Sequence, residues 1–326
     1  MNFTVGIQCS SLGERCGIFT YATRLKRTLE KITEVDGENV NIKTILFNER
    51  CREKVDVISL QYEPGLMPPD KLNYLLNKYS EPIIVTAHHI GYLENYYAIL
   101  DGVVLHSKDQ VENKPWDYII IPHPALVYQK KDKDELREKF NLPKDKKIVG
   151  TAGFITGTGK NLPLTVREIL KRLNKDEFLY LITAFWKGGD FGRLKEIMTE
   201  VKRLGRENQF RIDTDFVSDE TLNEKMQACD LLYAWNITGP NDKGSQSGIA
   251  ADMYGSRTKL IVKNSAHYSF IGQQEKVLVG RENPSDFAED VVKALREADL
   301  NDVQDPTWLS WENQVPKYVR YFMEFI

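Results

Sequence analysis

Short apolar runs alternate with stretches of helical period along almost the whole chain. Phe3 to Gln8 reads as a strand, and Phe19 to Ile32 follows with Phe19, Ala22, Leu25, Leu29 and Ile32 spaced for one helix face. Val40 to Phe47 and Val55 to Gln61 are further strands, Pro69 to Lys78 is helical, and strands are expected at Pro82–Ala87, Gly102–His106 and Tyr118–Pro122. The alternation restarts at Ile148 to Phe154. Helix Leu164–Leu173, strand Phe178–Ala184, helix Phe191–Leu204, strand Phe210–Thr214, helix Ser218–Ala228 and strand Leu231–Ala234 follow. Strands Lys259–Val262 and Val277–Val279, helix Pro284–Ala298 and an aromatic helix Ser310–Phe325 complete the pattern. Strand and helix in strict alternation is the mark of α/β layers with parallel sheets, here two doubly wound sheets with ligand crevices at the carboxyl ends of their strands. Between the two halves lies KKDKDELREKFNLPKDKK, Lys130 to Lys147, read as a solvated connection with one short helix, Lys133 to Phe140.

The 326 residues suit two domains of ordinary size. A hydrophobic share of 41% and a charged share of 28% describe a globular chain, and a net charge of −3 gives no global attraction to nucleic acid. Cys9, Cys16, Cys51 and Cys229 show no metal-binding spacing, so reduced thiols and a cytoplasmic setting are expected. The start, MNFTVGIQCSS, reads as a first strand and not as a signal peptide. No apolar run reaches the roughly 20 residues of a membrane span, which leaves peripheral contact with a membrane surface as an open partner class.

Chemistry enters at two turns that follow strands. After Ile148–Phe154 comes a Gly/Thr-rich turn with Gly157, Gly159 and Lys160, then a helix starting near Leu162. After Leu231–Trp235 a polar loop leads to Gly244-Ser245-Gln246-Ser247-Gly248, which opens a short helix. Free backbone N–H groups, hydroxyls and one ammonium at such turns form a cradle for a diphosphate. The first turn is not a P-loop, because Phe154 stands where its leading glycine belongs and Asn161 replaces the Ser or Thr that would hold magnesium. Asp213-Thr214-Asp215 has the Asp-x-Asp form that some glycosyltransferases use for manganese, but it sits at a strand end and no metal site is assigned.

Together these residues resemble a retaining GT-B glycosyltransferase of the large nucleotide-sugar-dependent group. The likeness rests on Gly17-Ile18-Phe19-Thr20-Tyr21, Gln61-Tyr62-Glu63, Thr86-Ala87-His88, Ile121-Pro122-His123, Gly153 to Asn161, Phe216 to Glu220 and Ala228-Cys229-Asp230, and it spans nearly the whole chain. It implies two Rossmann-like domains facing a central cleft: an acceptor-side domain over 1–128, with the 310–326 helix packed back on it, and a donor-binding domain over 129–309. Residue by residue, it implies that Gly17 lets backbone approach the donor phosphates and that His88 hydrogen-bonds the sugar. Lys160 would neutralise the diphosphate and Asp242 would position the donor sugar. Gly153, Gly159, Asn161, Ser245, Ser247, Gly248 and Ile249 would build the cradle, and Phe216 with Val217 would meet the nucleobase. Glu63, Tyr62 and Tyr92 are the acceptor-side candidates. Of the remaining aromatics, GYLENYYAIL is read as core, and Trp308, Trp311, Tyr318, Tyr321 and Phe322 as packing.

Two positions depart from the group. Phe154 occupies the place of an arginine, and Ala250 the place of the second acid of a Glu-x7-Glu pair, with Asp252 two positions on in another helix phase. The implied activity is transfer of a sugar from a UDP- or GDP-sugar to an acceptor hydroxyl (glycan, lipid-linked sugar, protein or modified DNA base), with no cofactor and no metal. The alternatives are a catalytically silent nucleotide-binding module, which the two departures suggest, and a DNA-base glycosyltransferase, which would use Arg15, Arg24, Lys26 and Arg27 as a basic stripe.

Overall fold

The computed structural model describes residues 1–13, 15–110, 117–155, 161–185, 191–237, 245–303 and 305–326, without the side chains of Tyr97 and Asp109. The chain divides into two compact units. One comprises Met1–Pro124 and Trp308–Ile326 with a short piece ending at Gln246, and the other Ala125–Asn241 and Ser247–Thr307.

The first unit begins with β1 (Asn2–Gln8), α1 (Gly17–Leu29), a small hairpin β2 (Glu34–Val35) and β3 (Glu38–Asn39), then β4 (Asn41–Phe47), β5 (Val57–Tyr62), α2 (Pro69–Leu76), β6 (Ile83–Ala87), β7 (Gly102–Leu105) and β8 (Tyr118–Ile120). Its sheet is all parallel in the order β4-β1-β5-β6-β7-β8. The inner strands VISLQY, IIVTA and GVVL are buried at every position, as a sheet covered on both faces requires. α1 stops at Leu29, where Glu30 closes the last turn, and the chain turns into the hairpin, which the helical spacing up to Ile32 does not reveal.

The second unit runs α3 (Lys133–Lys139), β9 (Lys147–Ile155), α4 (Leu162–Leu170), β10 (Glu177–Phe185), α5 (Phe191–Arg203), β11 (Phe210–Asp213), α6 (Asp219–Gln227), β12 (Leu231–Ala234), α7 (Gly248–Gly255), β13 (Lys259–Lys263), α8 (Ser269–Gly272), β14 (Leu278–Gly280) and α9 (Pro284–Glu297). Its parallel sheet has the order β11-β10-β9-β12-β13-β14. The core joins Val149, Leu179, Leu181, Leu231 and Ile261 of the sheet to Val166 and Ile169 of α4 and Phe287, Val291 and Leu295 of α9. Each sheet reverses direction once, between β1 and β5 in the first unit and between β9 and β12 in the second. Connections leave to opposite sides at such a point and open a crevice beyond the strand ends.

α10 (Trp311–Met323) belongs to the first unit and packs on α1. Its Tyr318 hydroxyl meets that of Tyr21 at 2.5 Å, and Trp311 lies edge-on to the Tyr21 ring. The Tyr321 hydroxyl accepts from Val103 N–H at 3.1 Å and donates to Asp117 O at 2.9 Å. Tyr318 and Phe322 are fully buried, whereas Trp308 is 36% exposed and leaves the packing role to its neighbours.

The charged 130–147 connection is not a loose solvated linker. Arg137, 5% exposed, donates to Asp230 and to Ala228 O, and Lys133 pairs with the other oxygen of Asp230. Lys131 and Lys139 both bind Glu224. The basic residues thus dock α3 on the α6 end of the second unit, through partners some 85 to 97 positions away that local pattern does not disclose.

Candidate functional site

In the second unit, the described residues that the sequence expects to meet a donor follow the carboxyl ends of β9, β11 and β12. Gly153, near the end of β9, has φ +129, a conformation side chains rarely adopt. Phe154 pairs with Ala184 in the ladder, and its ring lies parallel to Phe216 (9° between planes, centroids 6.1 Å apart). Phe216, on the loop after β11, is 47% exposed, and Val217 is half-buried. Asn161 is the N-cap of α4 in the left-handed region with φ +35 and makes no side-chain cap bond. It also lines a groove of about 670 Å³ with Pro163, Leu164 and Arg167 of α4 and Arg193 and Glu196 of α5.

Beyond β12, Ser247 caps α7 by accepting from Ala250 N–H at 3.3 Å. The amides of Gly248 and Ile249 in the same first turn have no helical carbonyl to meet, and such an end attracts anions. Ser245 precedes this cap and is half-buried. Asn236, just after β12, keeps a buried side-chain oxygen without a partner while its carbonyl accepts from Lys263 Nζ. Sequence reading passed over Asn236, and its only signal was its place at a strand end. Lys160, Gly159, Gly157 and Asp242 lie outside the described residues.

Both departures have a structural consequence. Ala250 is fully buried on α7. Asp252 does not compensate for it: it is 3% exposed and Oδ1 accepts from Leu126 N–H at 3.0 Å, tying the start of the second unit to α7. Gly255 at the end of that helix lies so close that a Cβ would stand 2.1 Å from Leu126 O. The carboxylate of Asp213 accepts from Tyr180, Lys225 and Arg211. Burial works against its ionisation, but these donors outweigh it and hold Asp213 below the usual carboxylate range. Its oxygens are thus engaged by side chains of the fold.

In the first unit, Gly17 is the exposed first residue of α1, and a Cβ there would meet open space. Cys16 caps that helix without a side-chain bond. None of the four cysteines is joined in a disulfide. Tyr62 is fully buried, and its hydroxyl accepts from Tyr92 N–H at 3.1 Å, so its place is the core and not an acceptor surface. Glu63 Oε2 accepts from Leu66 N–H at 3.1 Å and closes a turn. Tyr92, 51% exposed, and Ile99, 46% exposed, stand on the surface although the GYLENYYAIL run reads as core. On α1, Arg24 is buried and Lys26 is bonded to Glu30 and Thr44, so these two cations do not extend a basic stripe.

His88 follows β6 and is half-buried, with Nε2 3.1 Å from Gln61 Oε1. Its edge meets the Tyr21 ring at 4.6 Å. His106 and His123, which follow β7 and β8, pack on the same ring at 5.6 and 4.9 Å. Burial, together with the charges His106 and His123 would carry, holds His88 well below the ordinary histidine range. Burial likewise brings His106 down to about 4, against the upward pull of its bond to Ile121 O. His89 is the outer of the two adjacent histidines, its Nδ1 accepting from Gly91 N–H. Gln61 stands in the Gln61-Tyr62-Glu63 stretch and His106 was passed over in sequence, and only the strand order brings both to His88.

Among the described residues, no helix is long and apolar enough to cross a membrane, and no group of His, Cys, Asp and Glu has metal-binding geometry. No protein-family model matches the sequence, and no match is found among curated proteins. Solved structures do match in shape. HepE from Anabaena, in complex with UDP and glucose, has a TM-score of 0.75 at 9% identity over 99% of this chain and 100% of that one. A glycosyltransferase from Rickettsia africae has a TM-score of 0.73 at 13% identity over 99% and 98%. The UDP-forming α,α-trehalose-phosphate synthase from Burkholderia xenovorans, in complex with glucose-6-phosphate, has a TM-score of 0.67 at 12% identity over 99% of both chains. Two parallel, doubly wound Rossmann-like units and this likeness over full length give the chain the GT-B fold of those glycosyltransferases.

Proposed function

We propose that the chain is a retaining glycosyltransferase that moves a sugar from a UDP- or GDP-sugar to an acceptor hydroxyl without a metal. The observation that carries the reading is the Ser247-capped N-terminus of α7 beside the β9/β12 switch point, with the Gly248 and Ile249 amides in its first turn. Breaking a glycosyl–phosphate bond leaves negative charge on a diphosphate, and fixed amide dipoles act where that charge develops. By resemblance, Lys160 adds the ammonium, Asp242 positions the sugar and His88 hydrogen-bonds it. The UDP in HepE and the UDP-forming reaction of the trehalose-phosphate synthase favour a uridine nucleotide donor. The GT-B fold and the half-built cradle also fit a catalytically silent nucleotide-binding module. Phe154 in the arginine position and the buried Ala250 are what favour it.

A screen of nucleotide sugars that monitors nucleotide release tests the proposal. Release with at least one donor, and weaker UDP or GDP binding by Lys160→Ala, is the expected outcome. Silence with every common donor, with nucleotide binding unchanged in Lys160→Ala, would refute it. Tight nucleotide binding with no sugar release would instead select the silent module.

A further inference from the structure

Three successive strands of the first unit each end in a histidine: His88 after β6, His106 after β7 and His123 after β8. Parallel neighbours in register deliver the three rings to one place, with centroids 5.2 Å apart for His88 and His106, 5.3 Å for His106 and His123, and 6.4 Å for His88 and His123. Tyr21 of α1 packs against all three. Its hydroxyl points to Tyr318 of α10, so the cluster is roofed by phenols.

The hydrogen bonds assign the protons. Gln61 Nε2 donates to Ser59 Oγ at 3.0 Å, which turns the amide oxygen of Gln61 toward His88. A carbonyl oxygen only accepts, so His88 carries its proton on Nε2, and Nδ1 keeps a lone pair. His106 Nδ1 donates to Ile121 O at 2.8 Å, and His123 Nδ1 donates to Pro124 O at 3.0 Å. His106 Nε2 is then a buried lone pair with no partner. The charges that bear on His88 are those of His106 and His123, and burial bears on it most. Among the other polar groups facing the cluster are Tyr21, Tyr318 with Thr86 beside it, Trp311, Gln61, Gln246, whose Oε1 accepts from His123 N–H, and Gln110, whose Oε1 accepts from the His106 and Ser107 amides.

We propose that His106 and His123 are positioning residues that keep the Nδ1 lone pair of His88 unprotonated, so that His88 accepts a hydrogen bond from a ligand hydroxyl instead of donating one. The inference rests on the sugar-transfer reading for the identity of that hydroxyl, but the state of the ring does not depend on it. A proton on His88 would have to enter a site packed between Tyr21 and two further imidazoles, and each imidazolium would resist the next.

The test is long-range ¹H–¹⁵N spectroscopy of the histidine rings in the full chain across pH 8 to 4. The expected result is a neutral Nε2–H tautomer for His88 down to pH 5. In His106→Gln, and separately in His123→Gln, its midpoint should rise, and the acid limb of kcat should shift with it while KM for the donor stays within twofold. A His88 midpoint near the ordinary 6.5, or an Nδ1–H tautomer, in the wild-type protein overturns the proposal even if neither variant folds. So does an unchanged His88 midpoint in both folded variants. If the spectra come out as expected but no donor is turned over, the sugar-transfer reading fails and the assignment of the ring stands.

Discussion

The hydroxyls of Tyr21 and Tyr318 meet at 2.5 Å across 297 positions of sequence, both side chains fully or almost fully buried. Each satisfies the other in a place water does not reach, and burial foremost, with Tyr318 beside it, raises Tyr21 well above the ordinary phenol range. Tyr318→Phe strands the Tyr21 hydroxyl and should cost about 1–3 kcal/mol in urea unfolding. The double variant Tyr21→Phe/Tyr318→Phe should regain part of that loss, since the Tyr21 hydroxyl is then no longer stranded. A double variant as unstable as the sum of the singles would show that the pair does not act as one unit.

Asp230 is the buried anchor of α3, held by Arg137, Lys133 and Ile148 N–H. Burial pushes its carboxyl up, but Lys133 and Ile148 N–H outweigh burial, and the folded value ends below the usual one. Arg137→Met should therefore cost about 3 kcal/mol at pH 7. A depressed carboxylate stabilises the fold above its unfolded value near 4 and loses that contribution as pH falls through the folded value. The gap between wild type and Arg137→Met in chemical unfolding should thus narrow from pH 7 to pH 3. A gap that stays constant would mean that packing of the arginine stem, and not the charge, is what counts.

Gly255 and Gly17 should answer the same substitution in opposite ways. An alanine methyl at 255 would stand 2.1 Å from Leu126 O, a backbone atom that must move, so Gly255→Ala should lose about 1–3 kcal/mol or more and several degrees in Tm. At 17 the methyl meets open space, and the change in stability should stay within about 0.5 kcal/mol. Any loss of donor turnover in Gly17→Ala would then report on approach of the ligand. Equal melting behaviour of the two variants would contradict the packing described for α7.

Phe216 is exposed enough to be removed without unfolding the second unit, and its stacking on Phe154 marks a flat apolar surface at the strand ends. Phe216→Ala should weaken UDP binding by about 1 kcal/mol, roughly fivefold, in calorimetry. Unchanged affinity would remove Phe216 from the nucleobase contact.

The local pattern of the chain determined the two parallel sheets and the start of α7 after β12. Continuous apolar strands and one-sided helices follow from burial over a few neighbouring residues, and Ser247 announces its helix start by type and position alone. Strand order and side-chain partnership were decided only by the tertiary structure. Nothing near His88 foretells that Gln61, His106 and His123 surround it. Nothing near Asp252 or Asp213 foretells that Leu126 N–H and the trio Tyr180, Lys225 and Arg211 engage their carboxylates. Lys131, Lys133 and Lys139 looked solvated for the same reason, because their acids, Glu224 and Asp230, come from α6 and the turn after it. Periodicity records which side of an element is dry, whereas the identity of a partner tens or hundreds of residues away depends on how whole elements pack.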